Sequence, residues 1–124
     1  MRDPILVVDD EGGVRDFVRR ALEHSGYTVA LAAHARHALE VLTELNGAIR
    51  LLLTDVRMPG LSGVELLRRV RERWPSLRCL FMTGYTDDEW ALEALALTCP
   101  VLRKPFTVDE LELAVMTAVG PQRR

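Results

Sequence analysis

The alternation of short apolar runs with helical patterns constrains the fold of this sequence more than any other feature. Apolar residues spaced three and four apart, typical of amphipathic helices, lie between the runs and after the last one. Each run is short enough to be a buried strand. The runs are residues 5–8, 28–32, 51–54, 79–82 and 101–102. A strand followed by a helix, five times over, predicts a parallel sheet covered on both faces.

We therefore expect an α/β protein with a doubly wound (βα)5 flavodoxin-like fold. Five strands suit the order 2-1-3-4-5, although periodicity does not establish strand order. A chain of 124 residues fits one domain, so we expect residues 1–124 to form one unit with a core from about 5 to 119. Three capping boxes predict helix starts. They are Ser62 with Glu65, Thr86 with Glu89 and Thr107 with Glu110.

Charge and hydropathy exclude several classes of protein. The chain has 16 basic and 18 acidic residues, which argues against disorder and against direct nucleic-acid binding. No apolar run approaches the roughly 20 residues of a membrane span, and no signal peptide is evident. We expect a cytoplasmic protein without membrane contact. Cys79 and Cys99 lack metal-ligand spacing and are expected to be reduced thiols, and His34 and His37 to be surface residues.

Polar side chains follow four of the five apolar runs. They are Asp9 and Asp10, Asp55, Thr83, and the only lysine, Lys104. Each alone has an ordinary explanation as a cap, turn or surface residue. The carboxyl ends of parallel strands meet at one edge of a sheet, however, and ligands bind there.

Three carboxylates crowded at one edge would either raise a pKa or require a cation, and oxygen ligands favour Mg²⁺. Lys104 could pair with one phosphoryl oxygen, and Thr83 could hydrogen-bond another. The pattern predicts Mg²⁺-assisted phosphoryl transfer onto an aspartate. Asp55 is the best nucleophile, because it stands alone after a central strand while Asp9 and Asp10 form a natural metal pair.

Four motifs carry a resemblance to a known family. They are VVDDE at 7–11, TDVRMPG at 54–60, MTG at 82–84 and KPF at 104–106. With them the sequence resembles the receiver domain of bacterial two-component response regulators from about residue 5 to 119. The resemblance implies that Asp55 accepts a phosphoryl group from a histidine kinase or phosphotransfer protein, and that Thr83 and Lys104 bind the phosphoryl oxygens. It implies a Mg²⁺ site made by Asp9, Asp10, Asp55 and the backbone carbonyl of Arg57.

The same resemblance implies a cis peptide between Lys104 and Pro105, and a turn into the third helix that Gly63 would permit. Arg57 and Tyr85 occupy positions that tune the phosphoryl lifetime in this family. The phosphorylated domain would act as a regulatory phosphoacceptor, not as a classical enzyme, by switching a partner-binding surface. That surface is expected on the fourth helix, fifth strand and fifth helix, with Trp90, Leu92 and Leu97. The target would be a downstream protein or an output domain of a longer chain, and a homodimer is left open.

Two residues depart from the usual receiver pattern. Val101 stands where receivers usually carry Tyr or Phe, and Leu97-Thr98 replaces the usual Gly-Ala pair. We therefore predict that the segment 87–101 deviates from the family norm in helix length or orientation.

Other functions fit the sequence less well. A haloacid dehalogenase-type phosphohydrolase usually has a second acid two residues after its nucleophile, where this chain has Arg57. A flavodoxin-like cofactor binder would not place Asp9-Asp10-Glu11 beside a phosphate, and the P-loop motif is missing. A docking module independent of phosphorylation stays open.

Overall fold

The computed structural model describes residues 3–84 and 99–120, which contain five strands and four helices. The strands are β1 (Ile5–Val8), β2 (Val29–Ala32), β3 (Leu51–Asp55), β4 (Cys79–Thr83) and β5 (Val101–Arg103). The helices are α1 (Gly12–His24), α2 (Ala35–Glu44), α3 (Gly63–Arg73) and α4 (Val108–Val119). Helix α4 is the fifth helix of the sequence prediction. The predicted fourth helix, with the Thr86–Glu89 capping box and most of segment 87–101, lies outside the described residues.

The five strands form one parallel sheet in the order β2-β1-β3-β4-β5. This confirms the predicted doubly wound architecture and its strand order. The register pairs Val8 with Thr54, and Thr83 with Arg103. The residues that follow β1, β3 and β5 are consequently brought to one edge of the sheet.

Alternate residues of the central strands enter two separate cores. On one face, Leu6 and Leu52 pack with apolar residues of α2 and α3. On the other face, Val7 and Leu53 pack with apolar residues of α1 and α4. Because both faces are covered, the strands have the continuous apolar sequences from which they were predicted. Each fully buried leucine or valine contributes roughly 1.5–3 kcal/mol to folding.

The described helix starts agree with the sequence in two places and add one unexpected cap. The Thr107 and Glu110 pair forms a complete capping box at α4, and the Ser62 hydroxyl accepts a hydrogen bond from the Glu65 amide at α3. Helix α2 begins after His34, whose Nδ1 accepts from the His37 amide at 3.1 Å. His34 was expected only to be a surface residue, and histidine is not among the preferred N-cap residues.

Two residues of the apolar helical patterns are not buried in the core. Phe17 on α1 is 42% exposed and Val108 on α4 is 40% exposed. Both lie at the margin of the apolar stripe of their helix, where a spacing rule does not separate buried from peripheral positions. None of the helices in the described part of the chain is long and apolar enough to cross a membrane.

Candidate functional site

Asp9 follows β1, and hydrogen bonds from Glu11 and Arg15 fix its position. It is fully buried, and its Oδ1 accepts a hydrogen bond from the Glu11 amide at 2.9 Å. Its carbonyl oxygen accepts from Nη1 of Arg15 at 2.6 Å. These contacts leave Oδ2 of Asp9 available to the space beyond the sheet edge.

Asp55 ends β3 and is fixed by the turn into α3. The Gly63 amide donates to the Val56 carbonyl at 2.8 Å, which folds the start of α3 back over the strand end. A Cβ on residue 63 would lie 2.1 Å from the carbonyl oxygen of Asp55. Only glycine permits this approach, as the resemblance implied. The Asp55 residue is 5% exposed.

Lys104 joins these two carboxylates. Its Nζ donates to Oδ2 of Asp9 at 2.9 Å and to Oδ2 of Asp55 at 3.2 Å, and lies 3.9 Å from Oε1 of Glu11. The Lys104–Pro105 peptide is cis, as predicted. The Lys104 amide also donates to the Thr83 carbonyl at 2.7 Å, so the ends of β4 and β5 are connected directly.

Asp10 completes a group of three carboxylates. It is exposed, but it offers an oxygen to a set with Asp9 and Asp55 in which all the ligand atoms lie within 4.8 Å of one another. One ammonium from Lys104 does not balance three carboxylates. The donor set is composed of hard oxygen atoms, part buried and part open to solvent, and this chemistry fits Mg²⁺, which keeps several waters beside one or two protein carboxylates.

Burial and neighbouring charges shift the ionisation of the two central groups. Burial raises the pKa of Asp55 to about 6; Lys104 opposes this shift, and Asp9 and Asp10 add to it. For Lys104, burial disfavours the ammonium form. The hydrogen bond to Asp9 and the charges of Asp55 and Asp9 outweigh this effect and raise the pKa of Lys104 above its usual value.

Two open cavities meet at this edge. The first, of about 530 Å³, is polar and is lined by Asp10, Glu11, Asp55, Arg57, Met58, Pro59, Gly84 and Lys104. The second, of about 510 Å³, lies between α1 and the β5–α4 loop and is more apolar, with Val14, Phe17, Pro105 and Phe106 in its lining. Phe17 and Phe106 have ring centroids 6.2 Å apart. The candidate site therefore borders both a polar cavity and an apolar cleft.

All the described site residues predicted from the sequence lie at this edge. Thr83 is fully buried at the end of β4, and its hydroxyl donates to the carbonyl of Gly84 at 3.3 Å. Arg57 lines the polar cavity. Tyr85, Trp90, Leu92 and Leu97 lie outside the described residues.

Sequence reasoning missed the apolar cleft. It placed Phe17 in the apolar pattern of a helix and attached no role to Phe106 beyond its motif. A signal was available, because Phe17 is the bulkiest member of its helical stripe and the loop after Lys104 ends in another phenylalanine.

The comparison with known proteins agrees with this geometry. Residues 5–116 match the family described as the response regulator receiver domain. The chain belongs to this family. A receiver domain protein from Clostridium thermocellum has a similar structure, with a TM-score of 0.87, 32% identity and 94% coverage of each chain. The sporulation initiation phosphotransferase F of Bacillus subtilis is 32% identical over 93% of this chain and 92% of its own length.

Receiver domains occur in proteins of very different length. The sensor kinase CckA of Brucella abortus is 38% identical over 95% of this chain, but the match covers 13% of the kinase. The match to the hydrogenase transcriptional regulatory protein HoxA of Cupriavidus necator covers 24% of that regulator. The receiver domain described here therefore corresponds to a small part of several relatives, and the activities of those whole proteins do not transfer to it.

Proposed function

We propose that this receiver domain accepts a phosphoryl group on Asp55 in a Mg²⁺-dependent reaction and thereby switches a protein-binding surface. One observation carries the proposal: Oδ2 of Asp55 lies 3.2 Å from Nζ of Lys104, at the wall of a polar cavity that also holds Asp10. A carboxylate, an ammonium and additional acidic oxygens in one open cavity are the groups that phosphoryl transfer onto an aspartate requires.

In the proposed reaction, a carboxylate oxygen of Asp55 forms a bond to phosphorus as the bond to the donor breaks. With a phosphohistidine donor, the imidazole nitrogen leaves and recovers its ordinary protonation. The product is an acyl phosphate on Asp55. Lys104 is already hydrogen-bonded to Asp55. As negative charge develops on the phosphoryl group, its ammonium would form a hydrogen bond to a phosphoryl oxygen. Asp9 would keep the ammonium in position, because its Oδ2 is the nearer partner of Nζ.

The metal would be held by Asp9, Asp10, Asp55 and the backbone carbonyl of Arg57. When bound, Mg²⁺ supplies positive charge that offsets the repulsion between the carboxylates and the incoming phosphoryl group. Two features of this chain support the assignment. The three carboxylates are close enough to share one cation, and the pKa of Asp55 is raised by burial and by its acidic neighbours.

The apolar cleft beside the site favours a protein as the phosphoryl donor. Phe17 and Phe106 form an apolar surface beside Lys104. Such a surface can bind the apolar face of a partner's helix. A histidine kinase or a phosphotransfer protein could rest there and present its phosphohistidine to Asp55. The likeness to proteins named as a sensor kinase and a phosphotransferase is consistent with this class of partner.

The switch would act through the ends of β4 and β5. Phosphorylation adds nearly two negative charges. The Thr83 hydroxyl can donate a hydrogen bond to a phosphoryl oxygen, and the Lys104 ammonium can form an ion pair with another. Because the Lys104 amide donates a hydrogen bond to the Thr83 carbonyl, a displacement of the end of β4 would also displace the end of β5. Leu113 and Met116, which are 61% and 58% exposed on α4, lie on an element of the predicted output surface.

Intact mass spectrometry tests the proposal. The protein is incubated with Mg²⁺ and acetyl phosphate, and the reaction is stopped with acid, in which an acyl phosphate survives. We expect a gain of one phosphoryl group that is lost in base, is absent without Mg²⁺ and is absent in Asp55→Asn. The matched control is Asp3→Asn, which removes an exposed carboxylate outside the site and should leave the gain unchanged. An equal gain in Asp55→Asn would overturn the assignment.

A further inference from the structure

The only two cysteines of the chain lie close to the starts of two neighbouring strands. Cys79 begins β4, and the register pairs Phe81 with Val101. The Phe81 amide donates to the Pro100 carbonyl at 3.0 Å, so the pairing continues back toward Cys99. Extended back by two residues, this register places Cys79 opposite Cys99, which precedes β5, and both residues belong to the same core cluster.

The general spacing of neighbouring strands is compatible with a disulfide. Neighbouring strands lie about 4.8 Å apart, and disulfides join Cα atoms about 4.4–6.8 Å apart. The two side chains are close enough for each thiol to shift the pKa of the other. Both are reduced in this structure.

The two thiols differ in pKa, and a nearby arginine lowers the pKa of both. The guanidinium of Arg71 is anchored on the Leu77 carbonyl by hydrogen bonds from Nε at 3.3 Å and Nη2 at 3.2 Å. The hydrogen bond from Cys79 lowers the pKa of Cys99 to about 6; burial opposes this, and the Arg71 charge assists it. Burial raises the pKa of Cys79 well above its usual value. The pKa of Cys99 is thus the lower of the two, which makes Cys99 the more nucleophilic thiol of the pair.

We propose that Cys79 and Cys99 form a peroxide-sensitive thiol pair that closes reversibly into a disulfide between β4 and β5. The residues are only 4% and 3% exposed, so the oxidant must be as small as hydrogen peroxide. This inference does not depend on phosphorylation of Asp55.

The reaction has two balanced steps. The Cys99 thiolate forms a bond to one peroxide oxygen as the O–O bond breaks, and the departing hydroxide takes up a proton to become water. Cys99 is then a sulfenic acid. The Cys79 sulfur forms the S–S bond as the S–O bond breaks, and its proton leaves with that oxygen as a second water. Two thiols have been oxidised by two electrons and one peroxide has been reduced to two waters.

The disulfide would connect the strands that carry Thr83 and Lys104. Both cysteines lie near the starts of β4 and β5, while the two phosphoryl-binding candidates lie at the other ends. The crosslink would also close the chain between residues 79 and 99 into a covalent loop, which restricts the unfolded state. Oxidation should therefore raise Tm.

Intact mass after alkylation tests the pair. Reduced protein is treated with hydrogen peroxide, quenched, unfolded and alkylated with iodoacetamide. We expect a species lighter by two hydrogens, about 2 Da, with no alkyl adducts, formed at a rate independent of protein concentration and reversed by dithiothreitol. Two alkyl adducts at peroxide doses that already oxidise methionine would overturn the proposal, as would a crosslinked dimer.

Variants separate the roles of the two thiols. Cys79→Ser keeps a hydroxyl that can donate to Cys99 and should accumulate a sulfenic acid on Cys99 that dimedone traps, whereas Cys99→Ser should leave Cys79 unoxidised. Arg71→Gln should slow disulfide formation several-fold, whereas Arg69→Gln, an exposed position on the same helix, should not change it. Equal oxidation of the two cysteine variants would contradict the assignment of Cys99 as the reactive thiol. Wild-type protein alone decides whether the disulfide forms, even if a variant does not fold.

Discussion

Nζ of Lys104 lies 3.2 Å from Oδ2 of Asp55, which makes the only lysine of the chain a direct partner of the proposed phosphoacceptor. The same nitrogen contacts Oδ2 of Asp9 at 2.9 Å. A compact ammonium can bridge two nearly buried carboxylates in this way, whereas a planar guanidinium has a different shape and hydrogen-bonding pattern. The single lysine in a chain otherwise rich in arginine is thereby explained.

Asp55→Asn should stabilise the folded protein at neutral pH. The pKa of Asp55 rises from 3.8 to about 6 on folding, chiefly through burial, so the folded state holds its proton over a range in which the unfolded state has lost it. The contribution of Asp55 to stability is present below pH 4 and is lost as the pH rises through 6, by an amount of about 2–3 kcal/mol. Urea unfolding without Mg²⁺ should show Asp55→Asn to be more stable by roughly 1–3 kcal/mol at pH 7.5, and by much less at pH 4. Asp3→Asn should give no such difference, and a destabilised Asp55→Asn at pH 7.5 would contradict the account.

Replacing Lys104 with methionine should destabilise the protein because two nearly buried carboxylates lose their shared cation. We expect a loss of about 2–4 kcal/mol at pH 7.5. The loss should be smaller when Asp55 is already asparagine, and a double-mutant cycle measures this coupling. Lys104→Arg keeps the charge and should lose less stability, but it should impair phosphorylation-dependent partner binding. Identical losses for Lys104→Met in both backgrounds would show that the Lys104–Asp55 contact contributes nothing.

Two glycine-to-alanine substitutions should have opposite effects. A Cβ at Gly63 would lie 2.1 Å from the Asp55 carbonyl oxygen, so Gly63→Ala should cost about 2–4 kcal/mol and displace the end of β3. Gly13 lies in α1 with nothing within 4 Å of its added Cβ, and Gly13→Ala should stabilise by up to about 1 kcal/mol. Thermal unfolding of the two variants measures both effects. A Gly63→Ala variant as stable as wild type would show that the turn adjusts.

Mg²⁺ should raise the Tm of the wild-type protein because it binds the folded arrangement of carboxylates. Asp10→Asn should reduce this rise, since it removes the exposed member of the three ligands. Asp3→Asn is the matched exposed control and should keep the full rise. Differential scanning fluorimetry over a Mg²⁺ titration provides the measurement, and K⁺ at equal ionic strength controls for screening. An unchanged response in Asp10→Asn would remove Asp10 from the ligand set.

The fold could be predicted because the strands of this sheet are buried on both faces. Their sequences are continuous apolar runs, and the four longer runs were placed to within one residue of the structure at each end. The candidate site could be predicted from the topology, because parallel strands bring their carboxyl ends to one edge of the sheet. Its residues could be identified because each polar side chain comes shortly after an apolar run.

Other features depend on tertiary contacts that periodicity does not encode. The His34 cap of α2 required the actual backbone geometry. The exposure of Phe17 depends on where the β5–α4 loop passes, and the opposition of Cys79 and Cys99 depends on strand register. The pKa shift of Asp55 likewise depends on its distances from Lys104, Asp9 and Asp10, which the sequence does not give. Each of these involves residues far apart in sequence or a local geometry with no strong residue preference.

Borohydride reduction followed by peptide sequencing in the mass spectrometer tests the central claim most directly. Borohydride converts an acyl phosphate of aspartate into homoserine, which marks the acceptor permanently. After treatment with Mg²⁺ and acetyl phosphate, we predict homoserine at position 55 and nowhere else. Homoserine at position 9 or 10, or a stable phosphate on a hydroxyl side chain in place of homoserine, would contradict the assignment of Asp55 as the phosphoacceptor.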